Sequence, residues 1–576
     1  RYHAVVVECN WDAPATPLDH DQLLAGASVG VRSNALGRAS LKAATLQVRD
    51  RYSGWNGGTE LGLHPGRWVI EGEASLLTTN EPFTSDFLRH KSRLARKMRW
   101  ITVGYRDEHE RNRFRADSST AISTGSYQFH EWEAYVQSPD TFRNKWRVAA
   151  GQRHDRAASM GRLLPTAEAT QGSVFMELAR NSSNRLATTF TYRSLAILDT
   201  LLTAQKPENS YLARIDYDLR ALKNAVSLDL FYEFGSGLEP RKEFIYVLVP
   251  AGQGLYVWID YNGNGVKELN EFELANFSYE ADHIRVYVPT NDYVRTFSNQ
   301  LNTSLDLRPA AAWADAKGLK RFIARFSDLA MFRTDRKTGT SDLGHALDPL
   351  RIDPADTAIT AFSSSVRNTF YYDRTSRTWS VDHTYQNDRN KSLLLNGFES
   401  RVREVNQLRL RWNTSPQWTA EMEGETGRVA SNSDLIEGRT YAIDQRALRP
   451  RLIYQPGTTF RASLTFKVTT KVNEEALGGQ AAEIQDLGTD LRYNTPGTGG
   501  IQATFNLVRI SYDGEVNSSL GNEMLAGLKP GNNLTWSVGL QRKLSDHLQI
   551  DLTYNGRRSE GVKAVHVGGA QVRAFF

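Results

Sequence analysis

Apolar and polar residues alternate along most of the chain. The segment 459–469 reads TFRASLTFKVT, so that Phe, Ala, Leu, Phe and Val occupy one set of positions and Arg, Ser, Thr and Lys the other. The segments 225–234, 533–541 and 549–555 alternate in the same way. A period of two residues is typical of β-strands with one apolar and one polar face. The pattern predicts about 22 to 24 strands near ten residues long, which suits a tilted strand that crosses a bilayer better than the shorter strands of a soluble sandwich.

The connections between the predicted strands are of two kinds. Short polar turns are predicted at 180–184, 374–377, 413–416, 455–458 and 542–546. Long connections are predicted at 153–165, 333–356, 387–399, 429–439 and 473–480. The two kinds alternate along the chain, as in outer-membrane barrels with short periplasmic turns and long extracellular loops.

The chain ends in VHVGGAQVRAFF, an alternating segment whose last residue is Phe576. A final strand that ends in Phe resembles the terminal signal by which outer-membrane barrels are recognised for insertion. If Phe576 lies at the periplasmic rim, counting hairpins backward places the connection after Gly235 outside the cell. We therefore predict an all-β fold, a transmembrane antiparallel β-barrel, with strands in 1–234 and 292–576 and an extracellular β-rich insertion at 235–291.

Composition narrows the class of protein only slightly. The 576 residues carry a formal net charge of +5, from 70 basic and 65 acidic residues, and no basic run is dense enough for a nucleic-acid partner. The one cysteine, Cys9, excludes an intrachain disulfide and is expected to be an inert residue on a strand. The longest apolar runs are too short for a transmembrane helix, and no signal peptide is visible at the start of the chain.

One segment inside the predicted insertion carries a metal-binding pattern. Residues 260–273 read DYNGNGVKELNEFE and fill every constrained position of the calcium-loop pattern D-x-[DN]-x-[DN]-G-x5-E. Calcium takes about six to eight oxygen ligands, and this spacing wraps oxygens around one point while Gly265 allows the sharp turn. We predict a structural calcium site whose ligands are Asp260, Asn262, Asn264, the backbone carbonyl of Val266, Glu268 directly or through water, and Glu271.

The surroundings of this calcium pattern differ from those of an EF-hand. The flanking segments LYVWI and IRVYV read as strands, whereas an EF-hand has helices on both sides. The sequence NGNG is also typical of tight turns, so a simple Asn-Gly turn is the alternative. Extracellular calcium modules bind with dissociation constants of about 10⁻⁴–10⁻³ M, and such an ion would order a long surface segment.

The hairpin around NTSP gives a specific pairing prediction. We expect Trp412 to face Trp418 at the membrane interface, where amphipathic rings are favoured. In that register Leu410 faces Ala420, and Arg409 faces Glu421 as an ion pair in the lumen.

No catalytic constellation is visible. The 12 histidines are scattered, without an HExxH pattern or a paired spacing that suggests zinc. No GxSxG, Walker A or GxGxxG element stands between a strand and a helix. The sequence therefore predicts that the protein is not an enzyme.

One segment resembles a known class of proteins. The run 252–296, GQGLYVWIDYNGNGVKELNEFELANFSYEADHIRVYVPTNDYVRT, resembles a segment that recurs in large outer-membrane proteins of Bacteroidota. In those proteins it precedes a C-terminal half made of barrel strands. The resemblance implies a location in the bacterial outer membrane, and several such barrels work as subunits of secretion or barrel-assembly machines.

Three functions are compatible with these observations. The favoured hypothesis is a subunit of an outer-membrane complex for protein export or barrel assembly, whose calcium-ordered extracellular loops dock partners. Its expected partners are outer-membrane lipids and proteins such as surface lipoproteins, a plug or other barrel subunits, with no nucleic acid. The alternatives are a stand-alone solute channel or transporter and a cell-surface adhesion or scaffold barrel.

Overall fold

The computed structural model describes residues 21–48, 52–80, 84–115, 121–181, 183–340, 342–394, 397–434 and 438–575. The predictions for Cys9 and for the terminal Phe576 lie outside these residues. None of the helices in the described ranges is long and apolar enough to cross a membrane.

The chain forms long antiparallel strands. Among the described residues there are 27 strands, of which β13 and β14 have three residues each and the other 25 have between 10 and 25. The strands are β1 (Gln22–Ser33), β2 (Gly37–Val48), β3 (Tyr52–Leu63), β4 (Trp68–Asn80), β5 (Thr84–Lys97), β6 (Thr102–Arg115), β7 (Tyr127–Gln137), β8 (Lys145–Ser159), β9 (Arg162–Asn181), β10 (Asn184–Ile197), β11 (Glu208–Ala221), β12 (Val226–Leu248), β13 (Tyr256–Trp258), β14 (Phe272–Leu274), β15 (His283–Leu307), β16 (Phe326–Thr338), β17 (Ile359–Tyr372), β18 (Trp379–Leu394), β19 (Gly397–Asn413), β20 (Trp418–Ser433), β21 (Tyr441–Tyr454), β22 (Phe460–Asn473), β23 (Ala481–Thr495), β24 (Gly499–Tyr512), β25 (Gly531–Ser545), β26 (Leu548–Ser559) and β27 (Val565–Ala574).

Helices occupy only a few connections in the described part of the chain. The α-helices are α1 (Ala310–Trp313), α2 (Leu319–Ile323), α3 (Leu343–Leu347) and α4 (Ser519–Leu525), and the 3-10 turns are Leu269–Glu271, Ser278–Glu280 and Glu475–Leu477.

The chain divides into two compact units. The first unit comprises the chain up to Tyr217 together with Glu233–Gly237, and the second comprises Asp218–Tyr232 together with the chain from Leu238 onward. Within the first unit, each strand from β1 to β10 pairs antiparallel with the next. Within the second unit, β15 to β27 pair consecutively in the same way.

Each unit has one face that carries many exposed apolar side chains. In the second unit Leu464, Leu491 and Leu507 are 50%, 41% and 54% exposed, and they occupy one side of their strands. We call the face that carries these side chains the outward face, and the opposite, polar face the inner face; in the first unit Tyr105 and Val148 mark the outward face. A contiguous exposed apolar face of this extent requires lipid as its solvent.

The predicted fold class, an all-β transmembrane antiparallel barrel, is confirmed. The 25 long strands in the described ranges stand just above the predicted 22 to 24. The short turns predicted at 180–184, 374–377 and 455–458 each join two strands. We call the end of the strands at which the short turns lie the short-turn end, and the other the long-loop end. At the short-turn end, the connection between β15 and β16 is longer than expected, because 308–325 contains α1 and α2.

Several predicted long connections are shorter because the strands run further. At 153–165 only two residues separate β8 from β9, and at 387–399 only 395–396 separate β18 from β19. The connection predicted at 333–356 instead spans 339–358. Beyond the bilayer both faces of a strand are wet, so the apolar alternation that marks a strand in the sequence disappears while its hydrogen bonds continue.

The register predicted for the NTSP hairpin is wrong by two residues. Trp412 pairs with Ala420 and Arg409 with Glu423, whereas Trp418 lies opposite Tyr454. The Ser415 hydroxyl accepts the backbone N–H groups of Gln417 and Trp418, each at 3.2 Å, and lengthens the turn. A shift of two residues keeps every side chain on its predicted face, so Trp412 and Trp418 both remain exposed on the outward face.

The ion pair predicted between Arg409 and Glu421 is also replaced. Arg409 pairs instead with Asp382 of β18, with Nη2 3.0 Å from Oδ1. Asp382 is the residue directly opposite Arg409 in the β18–β19 register. The sequence of one hairpin did not contain this partner, because it lies on the preceding strand.

The segment between β12 and β15 is narrower than the predicted 235–291. Strand β12 runs to Leu248 and β15 begins at His283, so we use the term insertion for residues 249–282. Its two short strands pair with each other, and Tyr256 of β13 also pairs with His283 at the start of β15.

The assignment of the two faces predicts opposite effects at neighbouring residues of β24. Phe505 is 43% exposed on the outward face, and Thr504 lies on the inner face opposite Asp490. Phe505→Arg should destabilise the folded protein by about 2–4 kcal/mol, because a charge then faces the bilayer interior. Thr504→Arg should have an effect close to zero, because its new charge meets water and Asp490. Equilibrium unfolding by guanidinium in lipid vesicles measures both, and equal costs at the two positions would contradict the assignment.

Candidate functional site

The insertion packs on the inner face of the second unit. Arg557 of β26 donates to both carboxylate oxygens of Glu280, at 2.8 and 3.1 Å. Three positions separate Arg557 from the outward-facing Tyr554, which places the two on opposite faces of β26. The insertion also contacts α4, since Asn276 Nδ2 lies 3.5 Å from Asn522 Oδ1. This segment therefore lies across the polar side of the sheet.

Glu273 is the centre of the buried contacts of the insertion. Its Oε1 accepts from Arg439 at 3.3 Å, from the Ser519 hydroxyl at 2.5 Å and from the Tyr261 hydroxyl at 3.3 Å. Arg439 is only 7% exposed and also donates to the carbonyl of Phe272. Burial, together with the Glu273 carboxylate, raises the pKa of Tyr261 well above its usual range, so its hydroxyl stays protonated and able to donate.

The charge of Arg439 is kept by its carboxylate neighbours. Burial lowers the pKa of Arg439, but Glu273, Tyr246 and Glu399 together outweigh burial and raise it. Arg439 also lies 3.5 Å from Glu399 of β19, which pairs with Arg285 at 2.8 Å. A chain of alternating charges therefore links the insertion, β19 and the start of β15.

Helix α4 fills the inner face beside the insertion. It begins after Ser518, whose hydroxyl accepts the backbone N–H of Gly521 at 3.0 Å as an N-cap. Met524 and Leu525 of the helix are almost fully buried. Met524 packs in one cluster with inner-face residues of three strands, namely Val429, Tyr441, Ile443 and Ala482. We call the insertion and α4 together the inner cover.

Charged contacts attach the inner cover to further strands. Glu523 of α4 forms an ion pair with Arg401 of β19 at 2.8 Å. Lys471 of β22 donates to the backbone carbonyl of Glu523 at 2.7 Å. Since the contacts of the inner cover reach β19, β22 and β26, it obstructs the inner face of the second unit at its long-loop end.

The connection between β16 and β17 packs on the other side of the sheet. Asn299 Nδ2 donates to the carbonyl of Ala346 at 2.6 Å, and Arg336 donates to His345 Nδ1 at 2.7 Å. Asn299 and Arg336 are register partners on the outward face. His345 Nε2 lies 2.8 Å from Asp356 Oδ2, so the described residues of 339–358 form a buried polar network outside the lumen.

Beyond the inner cover, the inner faces carry many charges in cross-strand pairs. Arg409 pairs with Asp382 at 3.0 Å in the second unit. In the first unit Arg93 lies 3.4 Å from Glu71 and donates to the Tyr135 hydroxyl at 2.8 Å. Faces with this density of ionised groups are stable only next to water.

The predicted calcium ligands lie together in one exposed loop of the insertion. Asp260 accepts the backbone N–H groups of Gly263 at 2.7 Å and Gly265 at 2.9 Å, and both glycines have positive φ angles of 74° and 70°. Asn262 and Asn264 each accept the N–H group two residues further on, at 2.9 and 2.6 Å. The side chain of Asp260 therefore organises the turn that the pattern requires.

The two glutamates of the loop differ in their surroundings. Glu271 is fully buried and accepts from the Trp258 indole at 2.8 Å and from the backbone N–H of Tyr261 at 3.2 Å. Glu268 accepts from the side-chain amide of Asn262 at 2.9 Å. Within the described ranges no three His, Cys, Asp or Glu side chains already surround one point as metal ligands. The calcium site, including the carbonyl of Val266, stays a prediction.

Four of the histidines that look scattered in the sequence lie in one row. His90, His109, His130 and His154 are direct register partners across β5, β6, β7 and β8 on the outward face of the first unit. Asp107 Oδ2 lies 2.8 Å from His90 Nε2 and 3.5 Å from His130 Nε2. The sequence alone did not reveal this row, because the spacing of the histidines becomes informative only when the three hairpin registers are known.

Comparisons with known proteins give structural likeness without relatives in sequence. No protein family and no curated protein matches the chain. The FrpB iron transporter of Neisseria meningitidis (F3-3 variant) is 10% identical with a TM-score of 0.33, over 88% of this chain and 80% of its own. The ferric preacinetobactin receptor BauA of Acinetobacter baumannii is 9% identical with a TM-score of 0.29, over 93% and 85%. OmpF of Salmonella typhi is 10% identical with a TM-score of 0.26, over 72% and 97%.

The class of protein therefore rests on the chain's own strands, since likeness at these scores carries no argument. Consecutive antiparallel pairing, a lipid-requiring outward face and a charged inner face define an integral outer-membrane β-barrel. The predicted location in the bacterial outer membrane is confirmed.

The contact between Trp258 and Glu271 gives the calcium prediction a direct readout. If Glu271 binds calcium, the hydrogen bond from the Trp258 indole changes, and the tryptophan emission should change with it. We expect a saturable change in emission with a midpoint of about 10⁻⁴–10⁻³ M calcium.

Three variants distinguish calcium from a simple turn. Asp260→Asn should weaken binding at least severalfold, because it removes a charge at the first ligand position. Trp258→Phe should abolish the optical signal while leaving binding, measured by calorimetry, in place. Asp282→Asn, a carboxylate of the same insertion outside the loop, is the matched control and should bind as the parent does. If the emission does not respond to calcium and no heat of binding is measured, the calcium prediction is wrong and the loop is a simple Asn-Gly turn.

Proposed function

We propose that the protein passes small polar solutes across the outer membrane and that the inner cover controls this passage. The proposal is supported by the charged inner faces of both units, which favour a water-filled lumen. The single observation that carries it is the position of the insertion on the inner face, held by Glu280 to Arg557 and by Glu273 to Arg439.

The contacts of the inner cover are of a kind that can open. The ion pair between Glu280 and Arg557 is partly exposed, with side-chain accessibilities of 18% and 23%. Partly exposed ion pairs contribute little net stability, and polar interfaces within a chain commonly permit relative motion. The apolar cluster around Met524 in contrast attaches α4 firmly. The insertion is therefore the more easily displaced part of the inner cover.

One observation favours a second candidate function. The insertion exposes apolar side chains, and Leu255, Val266 and Leu269 are 66%, 59% and 44% exposed. Exposed apolar groups on a surface segment suit a protein partner. The hypothesis of an export or assembly subunit, whose loops dock such partners, stays a prediction, as does the adhesion or scaffold hypothesis.

Conductance in planar bilayers tests the proposed channel. Replacing 249–282 by a short Asn-Gly turn removes the insertion from the inner face, so single-channel conductance should rise severalfold over the parent. Glu273→Gln with Glu280→Gln keeps the backbone but weakens two attachments, and it should increase the frequency of opening without changing the largest conductance.

A matched deletion controls for general damage to the loops. Shortening the connection 339–358 removes a segment that packs on the outward face, so conductance should stay as in the parent. If neither the parent nor the insertion deletion conducts, the channel proposal is wrong. Purification in gentle detergent then decides between the others, since stoichiometric co-purifying proteins would support a complex subunit.

A further inference from the structure

The outward face of the first unit becomes basic toward its long-loop end. Along β6, Tyr105, Asp107, His109, Arg111 and Arg113 occupy alternate positions and therefore one face. Tyr105 is 40% exposed, which marks this face as the outward one. The strand thus passes from an aromatic ring to imidazole and then to guanidinium groups on its lipid-facing side.

Neighbouring strands continue the basic region. Arg111 pairs in register with Gln128 of β7, and Gln128 pairs with Arg156 of β8. The row directly below contains His109, His130 and His154. Cationic and polar groups therefore extend across three adjacent strands. We call Arg111, Arg113 and Arg156 the arginine patch.

The arginine patch forms no ion pair among the described residues. Each of its members lacks a carboxylate within ion-pair distance there, although Arg115 on the same face pairs with Asp86 at 2.9 Å. The Nε atom of Arg111 is buried and makes no hydrogen bond to a described protein atom. Asp86 is the register partner of Arg113 but forms its ion pair with Arg115, so the patch keeps an excess of positive charge for a ligand outside the protein.

Some outward-facing cations of the second unit have partners within the protein. Arg428 pairs with Glu474 at 2.7 Å, and Arg389 donates to Asn387 at 2.8 Å. Lys391 donates to the carbonyl of Asp356 at 2.8 Å. Arg446, Arg509 and Arg558 also face outward without an ion pair among the described residues, but each is the one cation on the outward side of its strand, whereas β6 places Arg111 and Arg113 next to each other.

The position of the patch along the strands places it at the outer interface of the membrane. A strand needs about 9–11 residues to cross the hydrocarbon layer. Arg111 and Arg113 are the tenth and twelfth residues of β6, counted from the short-turn end, and Arg156 is the twelfth of β8. A charge deeper in the layer would cost several kcal/mol, whereas at this level it meets lipid headgroups.

We propose that the arginine patch binds the phosphate-bearing headgroup of an outer-leaflet lipid. Guanidinium groups match phosphate oxygens with two parallel N–H donors, and such charge-assisted bonds are among the stronger ones in proteins. Three guanidinium groups on two strands, with Gln128 between them as a neutral donor, present a concentrated positive surface to an anionic headgroup. The ligand is a lipid phosphate and not an acidic protein, because the surface lies on the lipid-facing side.

Native mass spectrometry of the detergent-purified protein tests this site. The probes are a synthetic glycolipid with two phosphates, the same glycolipid without phosphates, and inorganic phosphate. The parent protein should bind the phosphorylated glycolipid at least tenfold more tightly than the dephosphorylated one. Arg111→Gln, Arg113→Gln and Arg156→Gln together should abolish this preference while leaving weak binding through the acyl chains.

Matched controls keep the result interpretable. Arg389→Gln with Arg428→Gln removes two outward-facing cations that are already partnered, and it should keep the preference. Heat-modifiable migration on gels confirms that each variant is folded. A preference that survives in the triple variant would overturn the proposal. Displacement of the lipid by millimolar inorganic phosphate, or loss of a co-purifying acidic protein in the triple variant, would assign the patch to another ligand and overturn it as well.

Discussion

The constraint on which the structure depends is the need of every backbone N–H and C=O group for a partner inside hydrocarbon. An unsatisfied group there costs several kcal/mol, and no water is available to replace a missing strand. Consecutive antiparallel pairing from β1 to β10 and from β15 to β27 meets this need within each unit. Once the backbone is satisfied in this way, each side chain is committed to one of two faces, and the two faces meet different solvents.

The two faces then determine where the connections can pack. The insertion uses Glu280 to reach Arg557 on the inner face and Glu273 to reach the buried Arg439 in the connection before β21. The connection after β16 instead covers Arg336, a cation on the outward face that is fully buried beneath it. Arg111 faces outward without such a cover, and for the patch to which it belongs we propose a partner from the membrane itself. The polar face, its cover and the lipid-facing patch thus follow from one arrangement of strands.

Alternation in the sequence was sufficient to predict the fold class and most faces. The alternation along one strand does not depend on which residues of the neighbouring strand lie opposite. For the same reason Trp412 and Trp418 were placed on the correct face although their pairing was wrong. Register itself depended on the hydroxyl of Ser415 in a turn, which no periodicity reveals. The histidine row that contains His109 runs through three successive hairpins, and the contact of Glu280 with Arg557 joins residues 277 positions apart. Only a complete set of strand registers brings such residues together. The predicted calcium ligands lie together in the structure because they are neighbours in the sequence, although calcium binding itself stays a prediction.

The most direct test is a nitroxide scan of β24 from Ile501 to Leu507 in lipid vesicles, after replacing Cys9 by Ser. Accessibility to oxygen reports lipid, and accessibility to a water-soluble nickel chelate reports the lumen. A strand that spans the membrane should alternate strictly, with Ile501, Phe505 and Leu507 accessible to oxygen and Gln502, Thr504 and Asn506 accessible to the chelate. Equal access of the chelate to both sets would mean that water surrounds the sheet, and it would contradict a strand that spans the membrane.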